Sequence, residues 1–199
     1  MTQLQSGKHA SIVIAEDESL IRIDLAEMLT ELGYDVLATA ADGEAAVELV
    51  AKLAPDIALL DIKMPKMDGL TAAERIGEVG GTAVVMLTAF SQGELIDRAR
   101  AAGAMAFLVK PVTASDLTPT LELARARFAE KVALESEVED LNQRLVARKA
   151  VDRAKAILQQ RFGMGEADAF RWLQKAAMDR RMSMQAVAEV VIAESPSRP

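Results

Sequence analysis

Within its first 112 residues the chain repeats one pattern five times: a short apolar run, then a stretch whose apolar residues recur at helical spacing. Ser11–Ala15 is nearly unbroken in its apolar character, as a strand covered on both faces requires. Ile21, Leu25, Met28, Leu29 and Leu32 follow at helical intervals, and Gly33 stops that helix. The same alternation gives strands over Tyr34–Thr39, Ile57–Leu60, Ala83–Leu87 and Met105–Val109. Helices are predicted over Ala45–Leu53, stopped by Pro55, over Leu70–Val79, stopped by Gly80-Gly81, and over Leu95–Ala102, stopped by Gly103. Five such units in sequence predict an α/β domain with a doubly wound, five-stranded parallel sheet.

Beyond the fifth unit no strand pattern appears. Leu117, Leu121, Ala124 and Phe128 lie at spacings of four, three and four, and Leu134, Val138, Leu141 and Leu145 repeat those spacings. The last helix of the first domain therefore runs into a helical connector. Two heptads fall short of the about three to four that define a coiled coil, so self-pairing and packing on the chain's own domains both stay open. Three short helices are then expected over Ala150–Gln160, Glu166–Met178 and Ser183–Ala193, with Ser183 as an N-cap. Gly165 leaves the second of these without a side-chain cap. The expected organisation is a leader (1–9), an α/β domain (10–125), a connector (126–146), an all-α three-helix domain (147–194) and a loose tail (195–199).

Composition narrows the chemistry. There is no cysteine, which excludes disulfides and thiolate metal sites and fits a reducing, cytoplasmic setting. No apolar run is long enough to span a bilayer, so no membrane partner is expected. The net charge of −7 is unevenly divided. Residues 1–124 hold 9 Lys/Arg against 19 Asp/Glu, whereas residues 144–181 hold 10 against 4. A locally basic C-terminal part suits an anionic partner such as nucleic acid, and equally a solvated helical surface.

In a doubly wound sheet ligands bind beyond the carboxyl ends of the strands. Glu16 and Asp17 follow the first strand, Asp61 ends the third, Thr88 ends the fourth and Lys110 follows the fifth. Clustered carboxylates repel one another and call for a cation. An all-oxygen set without His or Cys suits Mg²⁺ or Mn²⁺. A carboxylate can attack phosphorus to give an aspartyl phosphate. Lys110 would supply a second positive contact to the phosphoryl oxygens, and Thr88 a hydrogen bond to the product.

These residues carry a resemblance. Glu16-Asp17, the run Asp61-Ile62-Lys63-Met64-Pro65-Lys66-Met67-Asp68-Gly69, Leu87-Thr88-Ala89 and Lys110-Pro111 resemble the response-regulator receiver family over about residues 10–125. The resemblance implies a flavodoxin-like receiver fold with Asp61 as phosphoacceptor. It implies that Asp17, Asp61 and the Lys63 backbone carbonyl bind Mg²⁺, with Glu16 reaching the metal through water. It also makes Thr88 the switch hydroxyl and Phe107 the switch aromatic, and leads to a cis bond before Pro111. Glu16 departs from the family, where a second Asp is common, and Phe107 lacks the hydroxyl of a Tyr. The single histidine, His9, falls in the leader, so the resemblance implies a separate sensor histidine kinase as phosphodonor.

Ala154-Lys155-Ala156-Ile157-Leu158, Ala169-Phe170-Arg171-Trp172-Leu173, Ala176-Ala177-Met178 and Ala186-Val187-Ala188 resemble the ANTAR family of RNA-binding antiterminators over about 145–193. That resemblance implies binding of RNA hairpins in leader transcripts, commonly as a dimer. The residues themselves place Phe170, Leu173 and Ala177 on one helix face and Arg171 and Lys175 on the other. Arg148, Lys149, Lys155, Arg180 and Arg181 complete the candidate phosphate-contacting set. Trp172, at the edge of the apolar face, can stack on an RNA base or pack against the core. Three other classes share parts of this pattern: a DNA-binding response regulator, a protein-interaction module working through the connector, and an aspartate-based phosphatase. The last expects an acid two residues after the nucleophile, where Lys63 stands, so no enzyme is expected.

Overall fold

In a computed structural model the five apolar runs form a single parallel sheet. The structure describes residues 10–89 and 93–194, with residues 93–96 as backbone only. His9 and the expected leader and tail lie outside the described residues. The strands are β1 (Ser11–Ala15), β2 (Asp35–Ala40), β3 (Ile57–Asp61), β4 (Ala83–Thr88) and β5 (Ala106–Val109), in the order β2-β1-β3-β4-β5. They are interleaved with α1 (Ser19–Glu31), α2 (Gly43–Leu53), α3 (Gly69–Val79) and α4 (Gly93–Ala101), and followed by α5 (Ala114–Phe162), α6 (Glu166–Arg180) and α7 (Met184–Ala193).

Strand side chains alternate between two cores, as the period of two demands. Ile12, Ile14, Ile57, Leu59, Val85 and Leu87 pack with Leu25 and Leu29 of α1 and with Leu117, Leu121 and Ala124 of α5. Val13, Ala58, Leu60, Val84 and Met86 pack against α2, α3 and α4 on the other face. Every residue of β3 and β4 is buried, which explains why both read as continuous apolar runs rather than alternating ones. β2, at the sheet edge, does alternate.

The switch in strand order lies between β1 and β3. The carboxyl ends of those two strands therefore stand side by side, and the chain leaves them toward helices on opposite faces. That position, rather than any local property of Asp17 or Asp61, brings the acidic residues together.

The chain divides into two units between Val132 and Ala133. In the second, Ala154 and Leu158 of α5, Ala169, Leu173 and Ala177 of α6, and Val187 and Ala188 of α7 form a small core of their own. Ser183 caps α7 by accepting from the Ala186 N–H at 3.1 Å, whereas Gly165 offers α6 no side-chain cap. The sequence reading differs from the structure at two places. Ala150–Gln160 is not a separate helix: α5 runs unbroken for 49 residues, because nothing between the connector and Phe162 stops a helix before Gly163, which takes a φ of +65°. Phe170 does not join Leu173 and Ala177 in the core but stands 43% exposed at its flank. Leu134, Val138, Leu141 and Leu145 of the connector are all exposed.

Candidate functional site

The site is built at the C-terminal rim of the sheet. β1 delivers Glu16, whose side chain is fully buried, and Asp17, which is exposed. The Glu16 N–H donates to the Ala40 carbonyl at 3.1 Å, so the turn begins while still tied to β2. Arg22, one turn into α1, donates from Nη1 to the Glu16 carbonyl at 2.5 Å. β3 delivers Asp61, and the next N–H, from Ile62, donates to the Leu87 carbonyl at 3.1 Å. β4 delivers Thr88, which is buried, and the Lys110 N–H donates to the Thr88 carbonyl at 2.8 Å. The Lys110–Pro111 bond is cis.

Lys110 is the hub. Its Nζ lies 2.5 Å from Glu16 Oε2 and 3.1 Å from Asp61 Oδ1. Burial pushes the Glu16 carboxyl above its ordinary value, against the lowering effect of Lys110, and the charge of Asp61 adds to the rise. Asp61 is raised for the same reason, with Lys110 opposing and Asp17 adding. Burial alone would lower the Lys110 ammonium, but the two carboxylates more than offset it and hold it above its usual value. One ammonium thus pairs with two of the three carboxylates, Glu16 and Asp61, in a partly desolvated space, and Asp17 adds a further negative charge beside them.

The donor set fits a hard divalent cation. Glu16, Asp17 and Asp61 each bring one carboxylate oxygen within 4.8 Å of the others. Glu16 Oε2 is buried and accepts no hydrogen bond of acceptable geometry, meeting Lys110 only as an ion pair. Lys63, Thr88 and Lys110 line the same cleft of about 210 Å³ as Asp17 and Asp61. Phe107 is half-buried on β5, in register with Met86 and packed against the core on the α2–α4 face. By the strand period Thr88 shares that face.

Two Asp-Gly pairs set the loop after Asp61: Asp68-Gly69, to which the sequence reading gives no role, and Asp42-Gly43, which it does not mention. Asp42 caps α2 by accepting from the Ala45 N–H at 2.9 Å, and Asp68 caps α3 by accepting from the Thr71 N–H at 2.7 Å. The glycine after each is a close-approach residue. A Cβ on Gly69 would fall 1.9 Å from the Asp61 carbonyl oxygen, and one on Gly43 would fall 2.5 Å from the Met67 carbonyl oxygen. The Gly43 N–H donates to that same Met67 carbonyl, and Lys66, at a left-handed φ of +60°, reaches Asp42 Oδ2 at 2.7 Å. The signal was present as a cap residue followed by glycine at a helix start, but its partner across the fold was not.

In the helical unit the candidate cations split into two groups. Lys155 pairs with Asp152 at 2.8 Å and with Glu166 at 3.1 Å, Arg171 pairs with Asp168 at 2.7 Å, and Arg148 approaches Asp152 at 4.0 Å. Lys149, Lys175, Arg180 and Arg181 are exposed. Lys155 is the one candidate whose side chain is mostly covered, at 17% exposure, and it links α5 to the start of α6.

Sequence comparison agrees with this architecture. The profile of the response regulator receiver domain matches residues 12–122, and that of the ANTAR domain matches residues 139–192. The chain is 56% identical over 181 residues, 91% of its length, to the transcriptional regulatory protein PdtaR of Mycobacterium tuberculosis, of which it covers 88%. It is 36% identical to the chemotaxis protein CheY of Bacillus subtilis over 52% of this chain and 87% of that one. Among solved structures, the receiver domain of the response regulator NarL from M. tuberculosis superposes with a TM-score of 0.57 at 31% identity. That likeness covers 60% of this chain and 98% of that one. A CheY from Borrelia burgdorferi, solved in complex with CheX, BeF₃ and Mg²⁺, gives 0.54 at 32% identity, covering 60% and 89%. Among the described residues no helix is long and apolar enough to cross a membrane. With a five-stranded parallel sheet carrying an acidic rim, and a helical unit after it, this chain belongs to the two-component response regulators, with a receiver domain and an ANTAR output domain.

Proposed function

We propose that the protein is a cytoplasmic response regulator, phosphorylated on Asp61 by a separate sensor histidine kinase, whose ANTAR unit binds RNA hairpins and controls transcription antitermination. The observation that carries this reading is the rim itself. Asp61 lies 3.1 Å from Lys110 Nζ and shares a cluster of carboxylate oxygens with Glu16 and Asp17. Asp17, Asp61 and the Lys63 carbonyl would hold Mg²⁺, with Glu16 acting through water. When bound, the metal supplies charge neutralisation for the carboxylates and the incoming phosphoryl group.

The protein's own residues do the rest. Asp61 Oδ is the nucleophile, and Lys110, held between Glu16 and Asp61, contacts the phosphoryl oxygens. Phosphorylation adds about −1.5 to −2 charges, which draws Lys110 and the Thr88 hydroxyl toward the new group. Movement of Thr88 frees space on the face it shares with Phe107. A change from 1:99 to 99:1 between two states needs about 5.5 kcal/mol, and a few charge-assisted hydrogen bonds at about 1.5–3 kcal/mol each approach that. The exposed stripe of Leu134, Val138, Leu141 and Leu145 offers a seam for a second copy. The basic output surface comprises Arg148, Lys149, Arg171, Lys175, Arg180 and Arg181. Lys155, tied into two ion pairs, serves mainly to hold α5 against α6.

The test is phosphoryl transfer from a phosphorylated histidine kinase to the full chain and to Asp61→Asn. Label enters the wild-type chain as an acyl phosphate and is absent from the variant. Label retained by Asp61→Asn at the wild-type level sinks the assignment.

A further inference from the structure

We infer that a cleft within the helical unit is a receptor for one unstacked base of an RNA loop, with Trp172 as its stacking surface. This deepens the RNA-binding reading above and rests on it. The cleft, about 340 Å³, is walled by Ile157, Leu158, Arg161 and Phe162 from the end of α5, by Trp172 and Arg180 from α6, by Val191 from α7 and by Glu194, which follows α7. Its volume is at the lower end of small-ligand pockets, which run from about 300 to 1,000 Å³.

Helical geometry explains why it is open. Ala169, Leu173 and Ala177 fill the core stripe of α6 with two small residues and one Leu. Trp172 sits one position before Leu173 and is carried to the flank of that stripe, where 41% of it remains exposed. Phe162, at the last position of α5, keeps 65% exposure. Three aromatics occur in residues 145–194, and two of them line this one cleft. Large aromatic faces left in water at a concave site favour a flat, polarisable ligand.

The charges at the rim choose among such ligands. Arg161, which lines the cleft, donates from Nη1 to the Glu194 carbonyl at 3.3 Å. Neither Arg161 nor Arg180 is in an ion pair among the described residues, unlike Arg148, Lys155 and Arg171. Two unpaired guanidinium groups suit the phosphates on either side of an extruded nucleotide. Among the described residues Glu194 is the one acidic residue that lines the cleft. It would repel a bare phosphate but accepts from the amino or imino edge of a base. Aromatic face, flanking cations and an edge acceptor together describe a nucleotide taken out of its stack, as single-stranded RNA loops supply.

The chain's single tryptophan makes the site report on itself. Hairpins are first selected on the full chain, with Mg²⁺ and beryllofluoride, from a pool with a constant stem and a randomised loop. Binding of the selected hairpin is followed by anisotropy of labelled RNA and by Trp172 fluorescence, and compared with a blunt duplex of the same stem. The fluorescence is expected to be quenched with the midpoint that anisotropy gives. Trp172→Leu and the more exposed Phe162→Leu should each weaken the hairpin about tenfold, the scale of one base–aromatic stack, and leave the duplex unchanged. Circular dichroism confirms that each variant keeps its helices. Hairpin binding at wild-type affinity in Phe162→Leu and Trp172→Leu, unmoved fluorescence at saturating RNA, or equal losses on hairpin and duplex would each overturn the receptor while leaving RNA binding in place. If selection enriches no hairpin at all, the RNA reading falls and the receptor with it.

Discussion

The two units use charge in opposite ways. At the receiver rim, Glu16, Asp61 and Lys110 are drawn from three different strand ends, lie within salt-bridge distance and are largely shut off from water. In the helical unit the partners Arg148–Asp152, Lys155–Asp152 and Arg171–Asp168 are three or four residues apart on one helix. The first arrangement exists only because the fold imposes it, and its electrostatics are strong because solvent screening is weak. The three pairs of the second follow from helical spacing alone and, where exposed, are screened by salt and contribute little to stability; only Lys155 also reaches another helix, at Glu166. A buried charge cluster under net repulsion is poised to respond to a cation or a phosphoryl group. A surface of locally paired charges is suited to a large polyanion that engages many weak contacts together.

The largest effect expected from testing this contrast is at Gly69. Its Cβ would meet backbone, the Asp61 carbonyl, at 1.9 Å, which no side-chain rearrangement can relieve. Gly69→Ala should cost about 3 kcal/mol in denaturant unfolding, the upper part of the usual overpacking range, and should slow phosphoryl transfer by displacing Asp61. A stable variant with wild-type transfer would show the rim to be softer than its geometry implies.

Next in size is the response to Mg²⁺. Burial raises the Glu16 and Asp61 carboxyls, so the native rim holds protons more readily than the unfolded chain. Their contribution to stability therefore falls as pH rises from the ordinary carboxylate range through the raised values. Mg²⁺ needs those groups ionised. At neutral pH, a concentration one hundred times Kd should stabilise the fold by about 2.7 kcal/mol, read as a rise in Tm. The gain should fade toward acid pH and be much reduced in Asp61→Asn. An equal gain in that variant would place the cation elsewhere.

The smallest effect on stability is expected at Arg171, whose pair with Asp168 is 72% and 63% exposed. Arg171→Gln should change unfolding free energy by less than about 0.5 kcal/mol. Its effect belongs to binding instead: hairpin affinity should weaken and the slope of log K against log salt should flatten by about 1. A large loss of stability with unchanged salt dependence would reverse the contrast between the units.

Much of this was legible from residue order. Runs buried on both faces, glycine stops and strand-end acids announced the parallel sheet and its rim, since each depends on local chemistry repeated at regular intervals. The Ser183 cap and the uncapped start at Gly165 were readable for the same reason. Phe170 was misplaced because an aromatic at the flank of a helical stripe obeys the same spacing as one inside it. The continuity of α5 was missed because a domain boundary in function leaves no mark on a helix that carries no glycine or proline from Thr120 to Phe162.

Sequence alone therefore settled the five strands, their order along the chain and the side chains at their ends, but not the extent of α5, because strands and caps follow from periodicity, capping and turn chemistry within a few residues. Tertiary structure alone decided that Lys110 sits between Glu16 and Asp61, that Gly69 must lack a Cβ, and that Phe162 and Trp172 face one cleft. Each of those depends on contact between segments far apart in the chain, and no local pattern encodes the distance between them.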